Sequence, residues 1–289
     1  MGSITCNGAT GTEMKEFTAM LPSQNLEPLW SRMSDMVPST PNPRAMPHVW
    51  KYKDVFPHLS KAGQIVPEQM AERRVLMLVN PNLDGEGFTA VEGKKMPLVR
   101  GDVIVTPSWH WHDHGNESSK PVIWLDALNL PLFQFAPVNF AEGYGESRYP
   151  SRLDDNCEWR HPWSSVQEAL DSQSASHAVY HYRTSEGSPL STSLGVQAER
   201  ISGSTFTDLS RDSCSYIYHC YEGRGHTIVE PPSGGLVVIK WVSKDTFAVP
   251  AWSKIQHFNE SRTEVAYLVA IHDGPLLDSL GLRRPKSSL

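Results

Sequence analysis

Cysteine is scarce in this sequence: Cys6, Cys157, Cys214 and Cys220 are scattered through 289 residues with no Cys-x-x-Cys spacing. That excludes a disulfide framework and a cysteine-rich zinc module, and makes reduced thiols in a cytoplasmic protein the expectation. Long apolar runs are missing too, so no membrane span and no membrane partner are expected. Residues 1–14 carry neither a basic leader nor an apolar core, so no secretory signal is read there. Nor is there a long basic run. With a net charge of −6 and a pI of about 6.0, nucleic acid is not an expected partner. Charged residues reach only 20% against 39% hydrophobic, which excludes a disordered chain.

What is abundant is punctuation. Twenty-two prolines and 20 glycines are spread along the chain among nine tryptophans and many short β-rich runs, as expected of strands separated by turns. Residues 13–21 and 26–36 have helical apolar spacing, with Pro22 breaking the first. An extended stretch follows Pro41-Asn42-Pro43 through Val49 and Trp50. From Gly63 to Asn139 the pattern is of strands, at 75–79, 88–91, 103–105 and 122–125. A connector of residues 148–195 holds one expected helix at 164–172, with Ser164 as its N-cap. Strands return at 215–221, 236–242, 247–249 and 265–271. The expectation is an all-β chain with a helical arm and extended segment (1–62), a first barrel (63–147), the connector, and a second barrel (196–289).

The two β regions share their punctuation. Gly85-Glu86-Gly87 matches Gly223-Arg224-Gly225. Gly101-Asp102 leading to Pro107-Ser108-Trp109 matches Lys244-Asp245 leading to Pro250-Ala251-Trp252. A histidine follows each, read as His112 and His257. Chance placement of turn residues does not account for matched Pro-x-Trp triplets, so an internal duplication is expected.

The most specific stretch runs from Gly101 to Asn116. It has a glycine, a proline six positions on, and then a histidine and an asparagine four apart. The wording Pro107-Ser108-Trp109-His110-Trp111-His112-Asp113-His114-Gly115-Asn116 resembles the gentisate 1,2-dioxygenase and salicylate dioxygenase family. The likeness extends through residues 26–30, 43–50, 124–132 and the second β region. The resemblance implies a bicupin, two tandem cupin barrels of double-stranded β-helix (jelly-roll) type, assembled as a homodimer or homotetramer. It also implies a small aromatic substrate, O₂ as co-substrate, and Fe(II) held by three histidines of the first barrel. Two of those come from a His-x-His, whose spacing puts both side chains on one face of a strand.

Carried over residue by residue, His112 matches the third ligand, His114 a histidine facing the substrate, and Asp126, expected on the next strand, an acidic group near it. The His-x-His position is occupied by Gln69-Met70-Ala71, and the arginine expected to grip a substrate carboxylate falls at Met77. Arg73 and Arg74 lie close by in sequence. One imidazole does not hold Fe(II), and without the arginine a bidentate clamp is lost. A rebuilt metal site could use His110 and His112 with an oxygen from Glu68, Gln69, Glu72 or Asp126; otherwise His110 merely lines the cavity. The cofactor expectation is therefore none or Fe(II). Substrate-contact candidates are Arg44, Gln69, Arg74, Met77, Trp109 and His114; catalytic candidates are His112, His114 and Asp126. Three functions are open. The first is acid–base chemistry on a hydroxyaromatic, quinone-like or polyketide-like ring, as in an isomerase or dehydratase. The others are a ring-cleaving Fe(II) dioxygenase and a non-catalytic binding or scaffold cupin.

Overall fold

The computed structural model describes residues 11–24, 45–66, 87–117, 123–129 and 149–284, with single positions and short stretches between 28 and 146. The strand expected at 75–79 and nearly all of the helix expected at 26–36 lie outside the described residues. Residues 1–42 and 43–289 form two separate compact units. In the first, the helix Gly11–Met20 passes at Pro22 into a 3₁₀ turn, Leu21–Gln24, where proline denies the next α-helical hydrogen bond. Among the described residues no helix is long and apolar enough to cross a membrane.

The second unit is built from short strands: β1 (His48–Trp50), β2 (Gly87–Val91), β3 (Lys94–Leu98), β4 (Val103–Ile104) and β5 (His112–Gly115). Then come β6 (Arg152–Leu153), β7 (Arg160–His161), β8 (His177–His181), β9 (Gly195–Ile201) and β10 (Tyr216–Glu222). The last are β11 (Arg224–Glu230), β12 (Val237–Val242), β13 (Thr246–Val249), β14 (Lys254–Asn259) and β15 (Ala266–His272). Residues 123–129 join no ladder, so Asp126 does not sit on a paired strand.

The C-terminal half packs a six-stranded sheet, β1-β13-β10-β15-β9-β8, against a three-stranded one, β12-β11-β14. Alternation decides what fills the space between them. Tyr218, Phe247 and Leu268 point in from the large sheet, and Val229, Ile239 and Trp241 from the small one; all are buried in one cluster. Each large side chain buried there contributes about 1.5–3 kcal/mol. The outer face of the large sheet is covered by the helix Trp163–Asp171, whose Trp163, Val166 and Leu170 recur at helical spacing and pack on Ala198 and Tyr267. In the N-terminal half, β5-β2-β3-β6 form one sheet and β4-β7 a ladder of two, around Val91, Met96 and Cys157.

Sequence reading missed the helix Tyr52–Ile65, because Pro57 lies inside it. Its apolar stripe, Val55, Leu59 and Ala62, is nonetheless helical in spacing, and Ala62 is buried. It also placed the N-cap of the connector helix at Ser164, whereas the helix begins at Trp163 without a local side-chain cap. Both helices are capped from far away. The Asp245 carboxylate accepts the Tyr52 N–H at 3.0 Å, and the Asp102 carboxylate accepts the Trp163 N–H at 2.9 Å. The negative charge also suits the positive end of each helix.

The same carboxylates bind a cation on the segment just ahead of each helix, Lys51 at 2.6 Å from Asp245 and Arg160 at 2.8 Å from Asp102. The strands ahead pair correspondingly: β1 with β13, and β7 with β4. Each aspartate follows a left-handed residue, Lys244 (φ 81°) or Gly101 (φ 90°). At Gly101 glycine is required twice over, since a Cβ would lie 2.6 Å from the Tyr221 ring and 2.8 Å from Trp163. The lead-in to each barrel is thus fastened to the other barrel.

Asp245 is 2% exposed, so removing its charge leaves buried donors without an acceptor. Asp245→Ala is expected to lower stability by about 2–4 kcal/mol in urea unfolding, discounted for the partial exposure of Lys51. A change within error would show that the clamp is dispensable. A second expectation concerns acid. Burial pushes the His219, His257 and His272 imidazoles down to about 4. The unfolded chain, with histidines near 6.5, takes up protons first, so stability is complete above about pH 6.5 and lost on falling toward about pH 4. Unfolding midpoints should drop between about pH 7 and about pH 5, by about 1–2 kcal/mol per histidine, and His257→Gln should flatten the drop.

Candidate functional site

The site grows out of the ladder between β2 and β5. In its register Thr89 faces His114 and Val91 faces His112, so these four side chains share one face. The Thr89 hydroxyl lies 3.0 Å from His114 Nδ1. The indole of Trp124 lies against the same imidazole, ring centroids 5.5 Å apart. Thr89, His114, Trp124 and Asp126 line a cavity of about 550 Å³. Its walls continue through Leu98 and Ile104 of the first barrel to Tyr221, Val269 and Ile271 on the large sheet of the second. That volume suits a small organic molecule.

Electrostatics mark His114. Burial pushes its imidazole below the ordinary histidine range; the Asp126 carboxylate opposes that and His112 adds to it. Its side chain is exposed to the cavity, while the protein packed around it is enough to disfavour the charged form. Asp126 acts on it through space, since the structure gives no hydrogen bond between the two: the Nδ1 partner is Thr89. Arg100 also lines the cavity. Its guanidinium donates to the Tyr221 carbonyl at 2.7 Å and lies over the Tyr221 ring at 4.6 Å.

The other residues expected in the site fall elsewhere. His112 precedes His114 on β5 but is absent from the described wall of the cavity; its Nδ1 faces the His110 carbonyl at 3.2 Å. His110 lies before β5, with Nδ1 2.9 Å from the Ser108 carbonyl and its ring edge-on to Trp159. Trp109, left-handed at φ 66°, is 73% exposed and does not line the described cavity. Arg44, Gln69, Arg74 and Met77 lie outside the described residues, as do Glu68 and Glu72.

Whether these residues suit the iron that the resemblance implies is a question of donors. Among the described residues no group of three His, Cys, Asp or Glu side chains converges as a metal site would need. At 69–71, outside the described residues, the sequence has an amide, a thioether and a methyl where the resemblance implies imidazoles. The donor set among the described residues does not make up a three-histidine Fe(II) site.

The second barrel repeats the dyad. In its ladder Thr227 faces His257, and the Thr227 hydroxyl lies 2.7 Å from His257 Nδ1. This corrects the repeat as read from sequence: His257, seven residues after Pro250, is the counterpart of His114, seven after Pro107, and not of His112. Thr89 went unnoticed in the sequence, although Gly87-Phe88-Thr89 and Gly225-His226-Thr227 carry the signal. The two barrels differ in what adjoins the dyad. Trp241, opposite Gly225, fills the second barrel and is 1% exposed, while Leu98, opposite Gly87, leaves the first hollow. Glycine at 225 is what admits that indole, since a Cβ there would lie 2.5 Å from it.

Comparison with known proteins agrees with the β architecture. Residues 82–128 match a cupin domain. Gentisate 1,2-dioxygenase 1 of Aquipseudomonas alcaligenes is 27% identical, over 88% of this chain and 92% of the relative. The salicylate 1,2-dioxygenase structure from Pseudaminobacter salicylatoxidans superposes with a TM-score of 0.82 at 22% identity, covering 96% of this chain and 98% of that one. A structure of that enzyme's adducts with gentisate superposes at 0.79 and 20% identity, covering 97% and 95%. The fold is a bicupin, mostly β-sheet with a small helical N-terminal part.

The contrast at position 98 generates a test. Leu98→Trp, with glycine already opposite, is expected to close the cavity and to stabilise the fold by about 1 kcal/mol, as cavity filling does. Urea unfolding and a crystal structure of the variant check it; a loss of more than about 1 kcal/mol would mean that the wall cannot take an indole.

Proposed function

We propose that this chain, similar to gentisate 1,2-dioxygenases at 25–27% identity over most of its length, binds a small hydroxyaromatic, quinone-like or polyketide-like ring in the cavity of its first barrel. His114 there is the group that donates or withdraws a proton at a ring oxygen or an adjoining carbon. One observation carries the reading: a single imidazole, fixed by Thr89, opens on a cavity of about 550 Å³ beside an indole and a carboxylate. Trp124 offers a flat apolar face to a ring. Leu98 and Ile104 keep the ring away from bulk water, which strengthens any hydrogen bond made inside. Asp126 favours the imidazolium through space, so that a proton can rest on His114 between two transfers. The reaction class that needs only these groups is isomerisation or dehydration.

Charge in the wall bears on the substrate. Asp102 is neutralised by Arg160, and Arg100 spends a donor on the Tyr221 carbonyl, while Asp126 forms no ion pair among the described residues. A carboxylate on the ring would meet Asp126 but also the Arg100 guanidinium, which keeps its charge. The preference for a neutral or decarboxylated ring over gentisate rests on Met77 standing where the resemblance puts the clamping arginine.

Iron would supply O₂ activation where three donors hold it, and the ring cleavage of the named relatives is the competing outcome. The two separate on protein purified without a tag. The expected result is iron well below one per chain, hydroxyaromatic binding followed by Trp fluorescence that resists chelators, and at least about tenfold weaker binding in His114→Ala and Leu98→Trp. Stoichiometric iron that vanishes in His112→Ala, with O₂ consumed on adding gentisate, would overturn the reading in favour of ring cleavage.

A further inference from the structure

We infer that Thr89 is a positioning residue that sets the tautomer of His114, so that the ring presents Nε2–H to the cavity and the site selects ligands whose ring oxygen accepts a hydrogen bond. The ligand half of this rests on the reading of the cavity as a ring-binding site; the tautomer half does not.

Thr89 is 4% exposed, and its hydroxyl has one side-chain partner, His114 Nδ1 at 3.0 Å. A buried hydroxyl that does not donate costs about 1–3 kcal/mol. Nδ1 can accept that hydrogen only when it carries none of its own, which puts the imidazole proton on Nε2. The second barrel makes the same point more strictly. Thr227 Oγ1 already accepts the Trp241 Nε1–H at 2.9 Å, so its own hydrogen is left for His257 Nδ1 at 2.7 Å. If His257 Nδ1 were the donor instead, both the Thr227 hydroxyl hydrogen and the Nε2 lone pair would be stranded in the core. With Nε2 protonated, a single group is stranded, and His257 Nε2 is indeed buried without a partner.

The two dyads are therefore equal in wiring and opposite in outlook. In the second barrel Nε2–H faces packed protein; in the first the same atom belongs to a residue that opens on the cavity. A fixed donor there recognises a carbonyl, as of a quinone or enone, or a phenolate oxygen, and discriminates against a ring of the same shape that lacks the oxygen.

The experiment reads the tautomer directly. Full-length protein labelled with ¹⁵N-histidine is studied by long-range ¹H–¹⁵N correlation in mildly alkaline buffer, where imidazoles are neutral, and the His114 signals are identified by their loss in His114→Gln. The expected pattern is Nε2–H in wild type and in Thr89→Ser, and a mixture of tautomers in Thr89→Val. An Nδ1–H pattern in wild type, which needs no variant to fold, overturns the inference, as does an unchanged Nε2–H pattern in a folded Thr89→Val. For the ligand, 1-tetralone is compared with tetralin, its hydrocarbon counterpart. Wild type and Thr89→Ser should prefer the ketone by about tenfold, the usual worth of one hydrogen bond, and Thr89→Val should lose the preference. Equal binding of the two by wild type overturns the oxygen-selecting half. Nε2–H in wild type with neither compound bound supports Thr89 as the positioning residue and counts against the ring-binding reading instead.

Discussion

Two buried carboxylates hold the two halves of this molecule in register. Asp102 and Asp245 each follow a left-handed residue at the start of a strand, and each collects a cation and the first N–H of a helix from a distant part of the chain. Neither helix has a cap of its own, and both would begin with open N–H groups without these aspartates. The arrangement costs desolvation of charge, which is offset only because every carboxylate is met by both a cation and a backbone donor. Its consequence is topological. The strand β1, which precedes the first barrel in sequence, completes the sheet of the second, and β7, which precedes the second, pairs with β4 of the first. The outer face of the large sheet then becomes a wall of the first barrel's cavity, through Tyr221, Val269 and Ile271.

Duplication on that frame has produced one solid barrel and one hollow one. The ladders agree residue for residue, with glycine, then threonine two positions on, opposite an aliphatic or aromatic residue and a histidine. Packing density decides the difference. A buried indole at Trp241 closes the second barrel, and Leu98 at the matching place does not span the same gap. The threonine–histidine dyad is common to both; the void beside it is not.

The sequence disclosed the repeat and the stretch from Gly101 to Asn116 through turn residues and local spacing, and the bicupin architecture through the resemblance which that stretch carries. Asp126 and His114, read as candidates, do face one cavity. Other features were illegible for identifiable reasons. The helix Tyr52–Ile65 carries a proline in its interior and owes its start to a carboxylate 193 residues away, which no local pattern displays. The wall contributed by the second barrel depends on which face of a sheet meets a neighbour. Thr89 is an ordinary strand residue until its register with His114 is known. The pairing of His257 with His112 failed because a histidine after each Pro-x-Trp was matched without counting residues, whereas the ladder aligns positions by their distance from proline.

His257 also limits what may be concluded from His114. A threonine-bound, desolvated histidine occurs in this protein where no ligand can reach it, so the dyad by itself is a property of the barrel and no sign of chemistry. Lowered basicity is equally uninformative, since burial, as the largest cause, produces it also in His219, His257 and His272. What sets His114 apart is its surroundings: an indole at 5.5 Å, a carboxylate without an ion partner among the described residues, and a cavity of about 550 Å³ that the other barrel fills with tryptophan. A functional reading of the first barrel therefore stands on the void and its walls. Closing that void by a single substitution at position 98 separates the contribution of the cavity from that of the dyad, because Thr89 and His114 would remain in place while access to them was lost.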